Sequence, residues 1–121
     1  MKPNKVPAIA YLVIEVVGAV YNLRRRQILK PGTKRFVSIP RQIIMFLLNK
    51  KLRLSTPVIG HLLWGRDHGT VMSGVRNIER MMAEDPEFRA RVDAFAVVLK
   101  LRGWQELLAP LPPAPTLAVS S

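Results

Sequence analysis

One short segment of the chain combines side chains that can contact the edges of nucleic-acid bases. Residues 65–71 read Gly-Arg-Asp-His-Gly-Thr-Val, so a glycine turn leads into a predicted helix with a polar first turn. Histidine can donate or accept a hydrogen bond, and threonine offers a hydroxyl and a methyl group, which suits the major groove. The apolar residues that would anchor this helix follow at helical spacing and are Val71, Val75, Ile78 and Met82. A polar leading end on an anchored body is typical of a DNA recognition helix.

The same side chains also have plainer interpretations. Asp67 is placed to cap the helix by accepting a hydrogen bond from the backbone N–H of Thr70. His68 could be an ordinary exposed histidine, and Arg76 and Arg80 could lie on a solvated face or contact phosphates. The sequence by itself leaves these alternatives open.

The chain of 121 residues is strongly basic, with a formal net charge of +11 at pH 7. Such a charge on a small domain favours a polyanionic partner, which is nucleic acid or, as the alternative, an anionic membrane surface. A ribosomal or otherwise merely basic protein is the plainer interpretation. Residues 1–80 contain 15 Lys or Arg and 3 Asp or Glu, whereas residues 81–121 contain 4 and 5. We therefore expect the binding surface in the first two thirds of the chain.

Composition also argues against several other functions. The chain has no cysteine, which excludes disulfides and zinc fingers. The apolar segment 6–20 contains Glu15 and Gly18 and is shorter than the ~20 residues that span a membrane, so we expect a core helix. No G-x-x-x-x-G-K-[ST] run and no convincingly spaced nucleophile and base are present. The sequence predicts a cytoplasmic non-enzyme without catalytic residues, cofactor, metal site or small-molecule substrate.

The hydrophobic pattern predicts an all-α helical bundle of about five to six helices. The first helix is indicated by an apolar stripe at helical spacing, formed by Ile9, Leu12, Val13, Val16, Val17 and Val20. A short second helix is predicted over 23–29 and a loop over 33–39. Ser38 and Pro40 are typical of a helix start, so the next helix is predicted over 40–52.

The second half of the chain has the pattern of a helix-turn-helix. Residues 55–57 read Ser-Thr-Pro, a cap-plus-proline start for a short helix over 58–63. Gly65 provides the turn, where we expect a positive φ. The recognition helix is predicted over 67–83, and Asp85 caps the last helix.

The domain organisation follows from composition. Residues 1–103 are predicted to form one helix-turn-helix DNA-binding domain. Residues 104–121 are rich in proline, which favours an extended, flexible C-terminal tail.

Several separated motifs together resemble a known family. An Arg-Gln pair at 41–42 is followed by Ile-Gly at 59–60, by the 65–71 run and by Arg-Asn-Ile-Glu at 76–79. Over about residues 7–102 the chain is similar to the C-terminal DNA-binding domain (domain IV) of the bacterial replication initiator DnaA. The resemblance implies a Trp-repressor-like bundle that reads an AT-rich nonamer, the DnaA box. Because no ATP-binding run is present, it implies a stand-alone homologue of that domain.

The resemblance also implies individual DNA contacts. It places a minor-groove contact in a basic loop, which here carries Lys34 and Arg35. It assigns backbone and minor-groove-side contacts to Arg41 and Gln42. It implies phosphate contacts near the start of the short helix and groove-facing positions at the start of the recognition helix. The residues concerned are Lys51, Thr56 and Pro57 for the phosphates, and Arg66, Asp67, His68, Gly69, Thr70 and Ser73 for the groove.

Two positions depart from the family pattern. The family usually has Thr or Ser in place of Gly69, and often has His in place of Ser73. Both changes remove groups that would face the groove. Since a good base contact is worth ~1–3 kcal/mol, we expect a relaxed or shifted sequence preference.

Two hypotheses of different classes follow. The first is sequence-specific binding of double-stranded DNA at DnaA-box-like sites, which would regulate replication initiation or transcription in the nucleoid. The alternative is a protein-interaction module that mimics the initiator's DNA-binding domain and binds a protein of the replication-initiation machinery. The changes at Gly69 and Ser73, and the segment 104–108 with the proline-rich tail that follows it, motivate the alternative.

Overall fold

The computed structural model describes residues 8–30, 35–63, 65 and 67–100. Within these ranges the chain is all-α, as predicted, and contains no strand. The helices are α1 (Ala8–Tyr21), α2 (Arg25–Leu29), α3 (Arg35–Phe46), α4 (Thr56–Leu62), α5 (His68–Glu84) and α6 (Pro86–Leu99), with a π-helical turn at Leu47–Lys51. Lys34, Arg66 and the predicted tail 104–121 lie outside the described residues.

Helix α1 forms where predicted but buries a rotated face. Ile9, Val13 and Val17 are buried as expected, together with Ala10 and Ile14, whereas Val20 is 60% exposed. Because α1 is apolar on most of its circumference, residues 10 and 14 fit helical spacing as well as the predicted stripe does. Packing against α3 and α6 selects the buried face.

The junction between α1 and α2 depends on a close backbone approach. The Leu23 N–H donates to the Gly18 carbonyl over 2.8 Å. A Cβ on Gly18 would lie 2.6 Å from the Leu23 carbonyl oxygen, so the position requires glycine. After this turn the second helix begins at Arg25, two residues later in the chain than predicted.

The predicted loop over 33–39 and the predicted helix start at Pro40 are wrong, because helix α3 already covers most of that segment. It begins at Arg35 and contains Pro40 in its interior. Proline has no N–H to donate to the carbonyl four residues earlier, which normally favours ending a helix. Here Val37 and Pro40 are buried, so the packing of this segment outweighs the missing hydrogen bond.

The core is centred on the end of α3 and the π-helical turn. Every side chain over 43–48 is buried. The buried residues packed around this run are Val13, Ile14 and Val17 of α1, Ile28 of α2, Ile59, Leu62 and Leu63 near α4, Val71, Val75 and Ile78 of α5, and Phe88, Val92, Phe95 and Leu99 of α6. This single core fixes α4 and α5 relative to each other.

Helix α5 approaches α3 closely at one glycine. A Cβ on Gly74 would lie 2.5 Å from Met45 Sδ and 3.2 Å from Gln42 Cγ. The absence of a side chain at Gly74 therefore sets how closely α5 packs on α3.

Candidate nucleic-acid interface

The turn between α4 and α5 has the predicted local geometry. Ser55 caps α4, with Oγ accepting from the Val58 N–H over 3.4 Å. Gly65 has a φ of +70°, the left-handed conformation that favours glycine. Asp67 caps α5, with Oδ1 accepting from the Thr70 N–H over 2.8 Å. The caps at Ser55 and Asp67 and the conformation at Gly65 are thus confirmed.

Helix α5 buries one face and exposes its leading end. Val71, Val75 and Ile78 are fully buried, and Met82 is half-buried, as the helical spacing predicts. The exposed residues at the start of the helix are His68, Gly69, Thr70 and Ser73. The polar first turn is therefore free to enter a groove, while the apolar residues behind it hold the helix on the core.

The starts of α4 and α5 lie side by side. Thr56 Oγ1 and His68 Nδ1 are 2.7 Å apart. Pro57 is exposed beside them, in the first turn of α4. No sequence pattern links positions 56 and 68, so the contact between a predicted phosphate-contacting residue and a predicted base-contacting residue emerges only from the fold.

Asp67 supplies a fixed negative charge at the edge of this surface. The hydrogen bond from the Thr70 backbone N–H lowers the pKa of the Asp67 carboxyl below its ordinary value of 3.8, and the Thr70 side chain and the nearby His68 lower it further. Desolvation acts in the opposite direction and raises the pKa. An ionised carboxylate only accepts hydrogen bonds, and on DNA it would pair with an amino group such as cytosine N4.

Positive charge precedes the start of α4 along the chain. Lys51, at the end of the π-helical turn, is exposed and forms no ion pair with another described residue. Its neighbour Lys50 differs, because its Nζ lies 3.6 Å from Glu79 Oε2. Arg53 is also exposed and has a φ of +61°, which is uncommon outside glycine. Lys51 and Arg53 therefore add charge close to α4.

Arg76 and Arg80 have different environments on α5. Arg80 Nη1 lies 3.0 Å from Glu84 Oε1, and Arg80 also donates to Asn77 Oδ1. Arg76 is exposed, and its side chain forms no hydrogen bond or ion pair within the described part of the chain. The solvated-face interpretation therefore fits Arg80 better than Arg76.

The structure gives Arg41 a different role from the DNA contact that the resemblance implies. The side chain is buried, with 5% of the residue exposed. Its Nε donates to the Ile28 carbonyl and its Nη2 to the Lys30 carbonyl, both over 2.9 Å. Arg41 thus holds the end of α2 against α3, because a buried guanidinium must have its donors satisfied. The DNA contact that the resemblance implies for Arg41 stays a prediction.

Gln42 is also tied to the protein interior. Its Oε1 accepts from Asn77 Nδ2 over 2.7 Å, which joins α3 to α5. Asn77 is half-buried at this contact. Gln42 Nε2 forms no hydrogen bond with any residue in the described ranges, so it stays a candidate donor to DNA.

The fold and this surface define a helix-turn-helix domain, the class of fold that places a second helix in the major groove. The family model described as the bacterial dnaA protein helix-turn-helix matches residues 10–78, more than half of the chain. The chain belongs to this family.

Individual relatives agree with the family match. The chain is 36% identical over 100 residues to the chromosomal replication initiator protein DnaA of Thermomicrobium roseum, which covers 83% of this chain and 21% of the relative. It is 34% identical over 90 residues to that of Lachnoclostridium phytofermentans, covering 74% and 20%. It is 42% identical over 71 residues to that of Cereibacter sphaeroides, covering 59% and 16%. The chain thus spans about a fifth of the length of these relatives.

The described residues form neither a metal-binding cluster nor a membrane-spanning helix. Among residues 8–30, 35–63, 65 and 67–100, no group of three or more His, Asp or Glu is arranged to hold a metal ion. None of the helices in the described part of the chain is both long and apolar enough to cross a membrane.

Proposed function

We propose that this chain binds double-stranded DNA, with the first turn of α5 in the major groove. The main observation in support is that the polar start of α5, with His68 and Thr70, is exposed and that His68 contacts the start of α4. The net charge of +11, held mostly in residues 1–80, supports a polyanionic partner for this surface. Membership of the DnaA helix-turn-helix family supports DNA as that partner.

The proposed contacts fall into three groups. Asp67, His68 and Thr70 contact base edges, with Arg66, Gly69 and Ser73 along the same groove. Lys51, Thr56 and Pro57 lie against the phosphates, where Gln42 Nε2 is a further candidate. Lys34 and Arg35 enter the minor groove, as the resemblance implies.

The proposed target is an AT-rich site related to the DnaA box, read with altered preference. Gly69 and Ser73 lack two groove-facing groups that are usual in the family. A Cβ on Gly69 would meet only Asp67 Oδ1, at 3.7 Å, which is an ordinary van der Waals contact, so this position has room for a Cβ. By occupying such sites in the nucleoid, the protein would regulate replication initiation or transcription without catalysing a reaction.

The experiment is a fluorescence anisotropy titration of DnaA-box and scrambled duplexes at two salt concentrations. We expect tighter binding to the box-related duplex, and affinity for both duplexes that falls steeply with salt. His68→Ala combined with Thr70→Ala should remove the preference and retain the salt-dependent binding. Both residues are exposed, so the double variant should stay folded.

Two outcomes would contradict the proposal. Equal affinity of the wild-type protein for both duplexes would refute sequence reading. No binding to either duplex by a folded sample would refute DNA binding, and would leave the protein-interaction hypothesis as the one to test.

A further inference from the structure

The contact between Thr56 of α4 and His68 of α5 affects which nitrogen of the His68 ring carries the proton. Thr56 is the first residue of α4 and His68 is the first residue of α5. The 2.7 Å separation of Thr56 Oγ1 and His68 Nδ1 is that of a short, well-formed hydrogen bond. One ring nitrogen of His68 is therefore occupied, while the residue as a whole stays exposed.

The direction of this hydrogen bond follows from the basicity of the two atoms. A neutral imidazole carries one N–H and one nitrogen with a free lone pair. That nitrogen is a far stronger base than a hydroxyl oxygen, and the threonine hydroxyl rotates to direct its proton. The basicity difference therefore favours donation from the Thr56 hydroxyl to His68 Nδ1. In that arrangement the ring proton lies on Nε2, because the hydrogen bond at one ring nitrogen sets the tautomer.

We propose that Thr56 is a positioning residue that holds His68 as the Nε2–H tautomer, so that His68 presents a hydrogen-bond donor to the major groove. This inference rests on the proposed function of the surface. The matching groups on DNA are acceptors: N7 of a purine, O6 of guanine or O4 of thymine. Asp67, next to His68, only accepts hydrogen bonds when ionised. The start of α5 thus presents a hydrogen-bond acceptor at Asp67 followed by a hydrogen-bond donor at His68.

The first test concerns the free protein and needs no DNA. Heteronuclear NMR of the His68 ring nitrogens at about pH 8, where an ordinary imidazole is neutral, reports which nitrogen carries the proton. We expect an unprotonated Nδ1 and a protonated Nε2 in the wild type and in Thr56→Ser, which keeps the hydroxyl. Thr56→Val keeps the shape and loses the hydroxyl, so its His68 should show a mixture of tautomers. A protonated Nδ1 in the wild type, or a Thr56→Val spectrum equal to that of the wild type, would overturn the inference.

The second test measures discrimination at the base pair where His68→Ala loses preference. We expect Thr56→Val to reduce the discrimination there by about 2- to 10-fold, the equivalent of one net hydrogen bond, and Thr56→Ser to retain it. Thr56→Val placed on a His68→Ala background should cause no further loss. A further loss equal to that in the wild-type background would show that Thr56 acts on the phosphates alone, and would refute the positioning role.

The two tests separate failure of this inference from failure of the proposed function. If the wild-type protein does not discriminate between duplexes, the proposed function fails, while the ring nitrogens still report the tautomer. If it discriminates but Nδ1 carries the proton, DNA reading stands and the role of Thr56 falls.

Discussion

Asn77 Nδ2 donates to Gln42 Oε1 over 2.7 Å, and this bond between two half-buried amides joins the recognition helix to α3. Asn77 Oδ1 also accepts from Arg80 on the next turn of α5. The amide at position 77 therefore has partners on two sides. Together with the glycine contact at 74, it sets the orientation in which α5 presents its first turn.

We expect Asn77→Ala to lower the free energy of unfolding by about 1–2 kcal/mol, because it leaves Gln42 Oε1 half-buried without its partner. Urea denaturation of the wild type and the variant measures the change. Arg76→Ala is the matched control, since Arg76 is exposed on the same helix and should change stability by less than about 0.5 kcal/mol. Equal effects of the two variants would contradict a role for the amide pair.

Gly74→Ala should destabilise the fold, although alanine is the better helix former. The gain in helix propensity is at most about 1 kcal/mol, whereas forcing a methyl group against Met45 and Gln42 costs about 1–3 kcal/mol. Gly69→Ala on the same helix is the control, because its Cβ would meet only Asp67 Oδ1 at 3.7 Å. Thermal unfolding should show a lower Tm for Gly74→Ala and an equal or higher Tm for Gly69→Ala.

Restoring the missing groove-facing groups should strengthen reading of the DnaA box. Position 69 is exposed and has room for the Cβ of a threonine, and position 73 lies on the exposed side of α5, so Gly69→Thr and Ser73→His should fit. At ~1–3 kcal/mol per good contact, the double variant should gain tenfold or more in affinity for the box over a scrambled duplex. Anisotropy titration measures the ratio, and Gly69→Ala with Ser73→Ala serves as the control without polar groups. An unchanged ratio would indicate that this helix face does not meet the bases.

The contribution of Asp67 to stability should depend on pH below about 4. The hydrogen bond from Thr70 lowers the pKa of Asp67 in the folded protein below its ordinary value of 3.8. The stabilising charge is therefore fully present above that value and is lost as the pH falls through the folded pKa. Asp67→Asn keeps a good cap without the charge. The Tm difference between wild type and variant should stay constant above pH ~5 and shrink below pH ~4, and a difference independent of pH would contradict the electrostatic effect.

Lys51→Ala should reduce the salt dependence of DNA binding. If Lys51 contacts one phosphate, the slope of log Kobs against log salt should fall by about 0.9. Lys100→Ala removes the same charge from an exposed site just beyond α6. The control separates a local contact from the loss of net charge, since only the Lys51 variant should change the slope. Identical slopes for both variants would place Lys51 away from the phosphates.

Local signals predicted the helix-turn-helix well. Ser55, Gly65 and Asp67 act on groups within a few residues of themselves, so the sequence alone indicates the caps and the turn. The apolar spacing of α5 identified its buried face, because polar residues occupy the rest of that helix. The start of the last helix at Asp85 follows from the same local logic.

The spacing of apolar residues and the helix-start signals gave wrong predictions where the local sequence fitted more than one structure. Helix α1 is apolar on most sides, so its spacing could not choose between faces. Pro40 indicated a helix start because a proline interrupts the hydrogen bonds of a helix, yet the burial of Val37 and Pro40 keeps α3 continuous.

The sequence thus determined the all-α class, the caps at Ser55, Asp67 and Asp85, the turn at Gly65 and the family, since each is set by neighbouring residues or by a linear motif. Only the tertiary structure decided that Arg41 points inward to the carbonyls of α2 and that Asn77 meets Gln42. It also brought Thr56 to His68. Such contacts join separate helices, and their geometry is fixed by how the whole core packs, which no spacing along the chain encodes.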